Sequence, residues 1–187
     1  MKNSVRFIFT FVIYLLLFMG SEIVQAQDKR PVFIGVQPSF TRETFYEDGE
    51  FDINIVPIIV QVPVGKRIDI RATSEVNYHF GPSDGISDVG VQFVMPVYFK
   101  KKENTKSISH GFYAGPVIGL GTNLIDDHNT LTVAIEPGYM FKANKSFTLA
   151  LGLQLGASYF DYFDQPNAWY SHIGFKINIG FWVNRGK

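Results

Sequence analysis

At 187 residues, with 46% hydrophobic and 18% charged residues, the chain has the size of one folded domain and is too apolar for disorder. Lys+Arg and Asp+Glu balance at 17 each, so no net positive field draws it to phosphates, and nucleic acid is not an expected partner. Cysteine is absent, which excludes disulfides, thiolate metal sites, a cysteine nucleophile and a lipid-modified amino-terminal cysteine.

The chain opens with Lys2 and Arg6, an uncharged run over residues 7–19, then Gly20, Ser21 and the triplet Val24, Gln25, Ala26. A positive start, a short apolar stretch and small residues at a cleavage position form a secretory leader, expected over 1–26. The run is shorter than the roughly 20 residues a membrane-spanning helix needs. The mature part is expected over 27–187.

Beyond the leader the recurrent signal is alternation with a period of two, the mark of strands whose faces meet different surroundings. Strands are expected near 32–42, 51–62, 66–80, 88–100, 109–122, 130–142, 146–160 and 169–183. In the third, Arg67, Asp69, Arg71, Thr73, Glu75, Asn77 and His79 share one face, and Ile68, Ile70, Val76, Tyr78 and Phe80 lie on the other. The seventh sets Leu149, Leu151, Leu153 and Leu155 against Thr148, Ala150, Gly152, Gln154 and Gly156. The eighth sets Ile173, Phe175, Ile177, Ile179 and Phe181 against His172, Gly174, Lys176, Asn178 and Gly180. Tight turns over 62–66, 101–107 and 143–145 alternate with loops over 41–50, 81–87, 123–129 and 161–168. The expectation is an all-β fold, an eight-stranded antiparallel up-and-down transmembrane β-barrel.

Three features orient the faces. Glycines such as Gly35, Gly115, Gly152 and Gly180 sit on the polar face, which must then be the crowded interior, with the large apolar rows outside. Aromatic residues fall near both strand ends, Phe51, Phe80, Tyr159 and Trp169 at the loops, Phe99, Phe112, Phe141 and Phe181 at the turns, with aliphatic rows between. Acidic residues gather in the loops, including Asp84, Asp126 and Asp161, and lysines such as Lys66, Lys101, Lys102 and Lys142 at the turns. Pro38, Pro57, Pro96, Pro116 and Pro137 interrupt expected ladders, since proline has no N–H to give. A bulge at Pro57 would reverse parity there, sending Ile58, Val60 and Val62 outward and Gln61 inward.

With this pattern the chain resembles the small bacterial outer-membrane β-barrels, the group of the OmpX type and the OmpA membrane domain. The resemblance covers residues 27–187 and implies fold and location: a bacterial outer membrane, surrounded by its lipid and lipopolysaccharide, inserted by the barrel assembly machinery. Family members end on an aromatic residue that this machinery reads, whereas here Phe181 and Trp182 precede the last five residues.

The inward polar set, Arg67, Asp69, Arg71, Glu75, Glu136 and Lys176, is expected to fill the lumen as an ion-pair network. Ser171 and His172, as strand neighbours, point to opposite faces and form no dyad. His79, with His172 and Ser158 across the barrel, makes a candidate rim site for lipid ester chemistry. Asp126, Asp127 and His128 lack calcium-loop spacing, so no metal or cofactor is expected. The leading reading is a non-enzymatic barrel of structural or surface-interaction type. A lipid acyl-chain-modifying enzyme and a soluble lipocalin-like periplasmic binder stand as alternatives.

Overall fold

The structure, a computed structural model, describes residues 30–41, 47–82, 84–103, 107–142 and 146–184. The leader expected over 1–26, the turn 143–145 and parts of the expected loop 41–50 and turn 101–107 lie outside the described residues.

Eleven strand segments are β1 (Pro31–Val36), β2 (Phe40–Thr41), β3 (Phe51–Asn54), β4 (Ile58–Pro63), β5 (Asp69–Phe80), β6 (Gly85–Val94), β7 (Val97–Tyr98), β8 (Gly111–Asn123), β9 (His128–Lys142), β10 (Phe147–Tyr162) and β11 (Ala168–Asn184). They build eight antiparallel walls, with β1 and β2, β3 and β4, and β6 and β7 each making one. Sequential walls pair, and β1 closes the ring on β11, from Pro31 opposite Asn184 to Val36 opposite Ile179. Closure pairs the backbone groups that an open sheet would leave at its edges. Among the described residues there is no helix.

Three of the five prolines mark the places where expected strands break. Pro38, Pro57 and Pro96 each lie between two segments of one wall. Parity reverses after Pro57: Ile53 and Ile55 face out before it, Ile58 and Val60 after it, and Gln61 is fully buried. Pro96 interrupts without a slip, because Met95 N donates to Pro116 O (3.0 Å) and Val97 resumes opposite Ala114. Pro116 and Pro137 sit inside continuous strands. Beside Pro137 the β9–β10 ladder skips from Gly152 opposite Gly138 to Leu155 opposite Ile135 in unchanged register, since proline has no N–H to pair. A register shift in β5–β6 between Asn77 and Tyr78 leaves Ser87 as the extra residue.

The faces divide as the alternation requires. Ile135, Leu153, Leu155, Ile173 and Phe175 are exposed on the outside. Arg71, Gln154 and Glu136, on the opposite parity, are fully buried inside. Outward aromatic pairs occupy both ends: Phe51 on Phe80 and Tyr159 on Trp169 toward the loops, Phe112 on Tyr139 and Phe147 on Phe181 toward the turns.

Candidate functional site

The lumen has three levels. At the turn end, Phe33, Ile59, Tyr98, Tyr113, Met140, Ala150 and Trp182 pack into a small apolar core. Beside it Lys102, from the segment after β7, turns its side chain into the barrel. Its Nζ donates to Asp69 Oδ1 (2.7 Å) and Ser109 Oγ (3.0 Å). Asp69 Oδ2 also accepts from Ser109 Oγ (2.5 Å) and Gln61 Nε2 (2.6 Å). A buried carboxylate with three partners is a satisfied one, and it ties Lys102 and Ser109, which precede β8, to the start of β5.

At mid-depth Arg71 crosses from β5 to β9. Its Nη1 donates to Glu136 Oε1 (2.6 Å) and its Nε to Gln61 Oε1 (2.9 Å), while the guanidinium lies 5.2 Å from the Tyr113 ring centre. Glu136 also accepts from Tyr113 OH (2.7 Å) and from Gln154 Nε2 (2.7 Å), and Gln154 exchanges hydrogen bonds with Gln92 on the facing wall. This network spans the lumen from β4 to β10. Glycine makes room for it: a Cβ at Gly152 would stand 2.8 Å from Glu136 Oε1, and one at Gly138 would collide with the Tyr113 ring. Gly152→Ala is therefore expected to cost about 1–3 kcal/mol through overpacking, read as a lower urea midpoint for the folded barrel.

At the loop end side chains thin out and leave a cavity of about 90 Å³. Its walls carry Asp52, Glu75 and Asp88 on β3, β5 and β6, with Lys176 and His172 on β11. Gly90, Gly119 and Gly121 keep the side opposite β11 open. Asn123 Nδ2 donates to Asp88 Oδ1 (3.2 Å), and Asp52 holds His79 Nδ1 (2.9 Å).

Of the six residues assigned to the lumen from sequence, Asp69, Arg71 and Glu136 are fully buried inside, and Glu75 and Lys176 face each other at 3.8 Å. They divide between two levels: Asp69 pairs with Lys102, Arg71 with Glu136. Arg67 is a correction. The chain turns through hydrogen bonds from Val64 N and Gly65 N to Ile68 O, and β5 begins only at Asp69, so Arg67 lies in the bend with its side chain exposed. Lys102, read from sequence only as a lysine at the turn end, lies there with its side chain turned inward and 7% exposed.

The rim residues His79, His172 and Ser158 each engage a separate partner: His79 holds Asp52, His172 Nε2 meets Gln154 Oε1 (3.1 Å), and Ser158 Oγ meets Thr132 Oγ1 (2.8 Å). Ser158 and His172 line the cavity and His79 does not. Gln61, Gln92, Gln154, Tyr98 and Tyr113 belong to the network without being among the six assigned from sequence; parity places Gln92, Gln154, Tyr98 and Tyr113 inward, and the reversal at Pro57 does the same for Gln61. No protein-family model matches the chain, and no curated protein matches its sequence.

Proposed function

We propose that the chain is an integral β-barrel of a bacterial outer membrane, exported by the leader over 1–26, with a lumen plugged by its own side chains and a structural or surface-interaction role. The observation that carries this reading is the exterior: exposed Ile, Val, Leu and Phe side chains occur on all eight walls, around an interior holding the Arg71–Glu136 pair. Soluble barrels place these two classes the other way round. So large an apolar surface needs a hydrocarbon partner, and the aromatic pairs at both ends suit the two interfaces of a bilayer. The charged, hydrogen-bonded lumen also weighs against a lipocalin-like binder, whose cavity would be apolar. The rim histidines, held apart by separate partners, weigh against ester chemistry.

In this reading the short turns face the periplasm and the acidic loops the exterior. The surrounding partners are outer-membrane lipid and lipopolysaccharide, and insertion depends on the barrel assembly machinery. The protein is expected to leave membranes only with detergent and to migrate differently on a gel before and after boiling. Recovery in the soluble fraction with identical migration of both samples would overturn the proposal. Reconstituted in liposomes, it is expected to pass no more solute than empty lipid, because Lys102, Tyr98 and Arg71 block the turn half of the lumen.

A further inference from the structure

The wall between β1 and β11 is paired over only its turn half. The ladder ends at Val36 opposite Ile179, and the chain then swings toward the next wall. Gln37 N donates to Pro57 O (2.7 Å), Ser39 O accepts from Asn54 N (3.2 Å), and β2 pairs with β3 alone. On the other side β11 continues upward against β10 as far as Ala168. Among the described residues, therefore, residues 171–178 of β11 have no strand partner on the β1 side. Gln37 and Asn178 stand at the base of this seam, both fully buried, with Gln37 Nε2 and both Asn178 amide atoms lacking a hydrogen-bond partner among the described residues.

An unpaired sheet edge at membrane depth is tolerated only where it meets protein or lines a hydrated cavity. The loop-end cavity lies behind this one, with Ser39 on one lip and Lys176 and His172 on the other. Just outside, Ile173 and Phe175 are 73% and 59% exposed. Polar cavity and apolar exterior thus meet at one opening, a geometry that suits an amphiphile.

The charges name its head group. Lys176 is 6% exposed, lines the cavity, and makes no hydrogen bond among the described residues; its nearest anion is Glu75 Oε1 at 3.8 Å. It flanks the seam, whereas Asp88 sits on the wall opposite, with Glu75 beside it. Asp52, the carboxylate on β3 next to the seam, is already held by His79 (2.9 Å), so a ligand entering from the seam meets Lys176 first and the carboxylates of Glu75 and Asp88 farther in. We infer that the seam is a lateral entrance through which the cavity takes the head group of a phosphoethanolamine-type phospholipid, its phosphate on Lys176 and its ammonium on Glu75 and Asp88, with the acyl chains outside along Ile173 and Phe175. This rests on the membrane reading above.

The test is native mass spectrometry of the full chain released from micelles containing equimolar phosphatidylethanolamine and phosphatidylglycerol with identical acyl chains. One phosphatidylethanolamine per barrel is expected to be retained in preference to phosphatidylglycerol. Lys176→Met and Glu75→Gln should each reduce the retained adduct by about tenfold, the loss of one hydrogen bond to a charged group. The boiling-dependent gel shift shows separately that each variant is folded. Equal retention of the two lipids, or retention unchanged in both variants, overturns the inference. So does an equal adduct with water-soluble phosphoethanolamine alone, which would make the ligand a free solute, or a lipid-free dimer, which would make the edge a pairing surface. A chain that fractionates without detergent and shows no gel shift defeats the membrane reading first, and the lipid with it.

Discussion

Glu136→Ala is expected to destabilise the folded barrel by about 3–5 kcal/mol, the largest effect of any single polar substitution in the lumen. Glu136 is fully buried and receives Arg71, Tyr113 and Gln154 together. Its removal strands the Arg71 guanidinium, itself fully buried, with Gln61 as its remaining hydrogen-bond acceptor among the described residues. The cost is that of an uncompensated charge rather than of a lost contact. Replacing both partners, as in Arg71→Met with Glu136→Leu, removes the charge along with its counterion and should cost much less than either single change. Urea titration in lipid vesicles, following the folded gel band, measures all of these variants. If Glu136→Ala falls within about 0.5 kcal/mol of the wild type, as an ordinary surface substitution does, water reaches the pair and the lumen is not sealed at that level.

How much of this arrangement the sequence carries depends on whether a residue lies within an unbroken alternation. Arg71, Glu136 and Lys176 do, so their parity places them on the interior face before any coordinate is known. Gln154 and Tyr98 do as well. They were passed over because neutral polar and phenolic side chains draw less attention than charges, although the network turns on them. Arg67 has the right parity but sits past the last rung, where a turn of one or two residues either way decides between lumen and water. Lys102 lies beyond any strand, and its insertion depends on the strap after β7 folding back against the turn before β5, where Lys102 N reaches Lys66 O (2.8 Å). Such contacts between segments distant in sequence leave no local period. The seam is similar: Pro38 flags a broken ladder, but only the pairing of Gln37, Ser39 and β2 with the second wall, and not with β11, shows where the ladder with β11 stops among the described residues.

The orientation of the whole barrel has its own test in Leu153 and Val183, two exposed residues that share the outward face at different heights. Leu153 stands in the middle of β10, opposite Phe175, and Val183 near the turn end of β11, opposite Val32. If hydrocarbon surrounds the barrel, Leu153→Arg should cost about 2–4 kcal/mol and Val183→Arg about 0–1 kcal/mol, because the cost of a cation falls steeply from the bilayer midplane to its interface. In water neither arginine would meet a penalty of that size, since both side chains would remain solvated. The difference between the two variants is more informative than either value, as it cancels whatever arginine does to strand propensity. Folding measured in vesicles of defined thickness gives it directly. A difference near zero would put the apolar band in contact with something other than lipid.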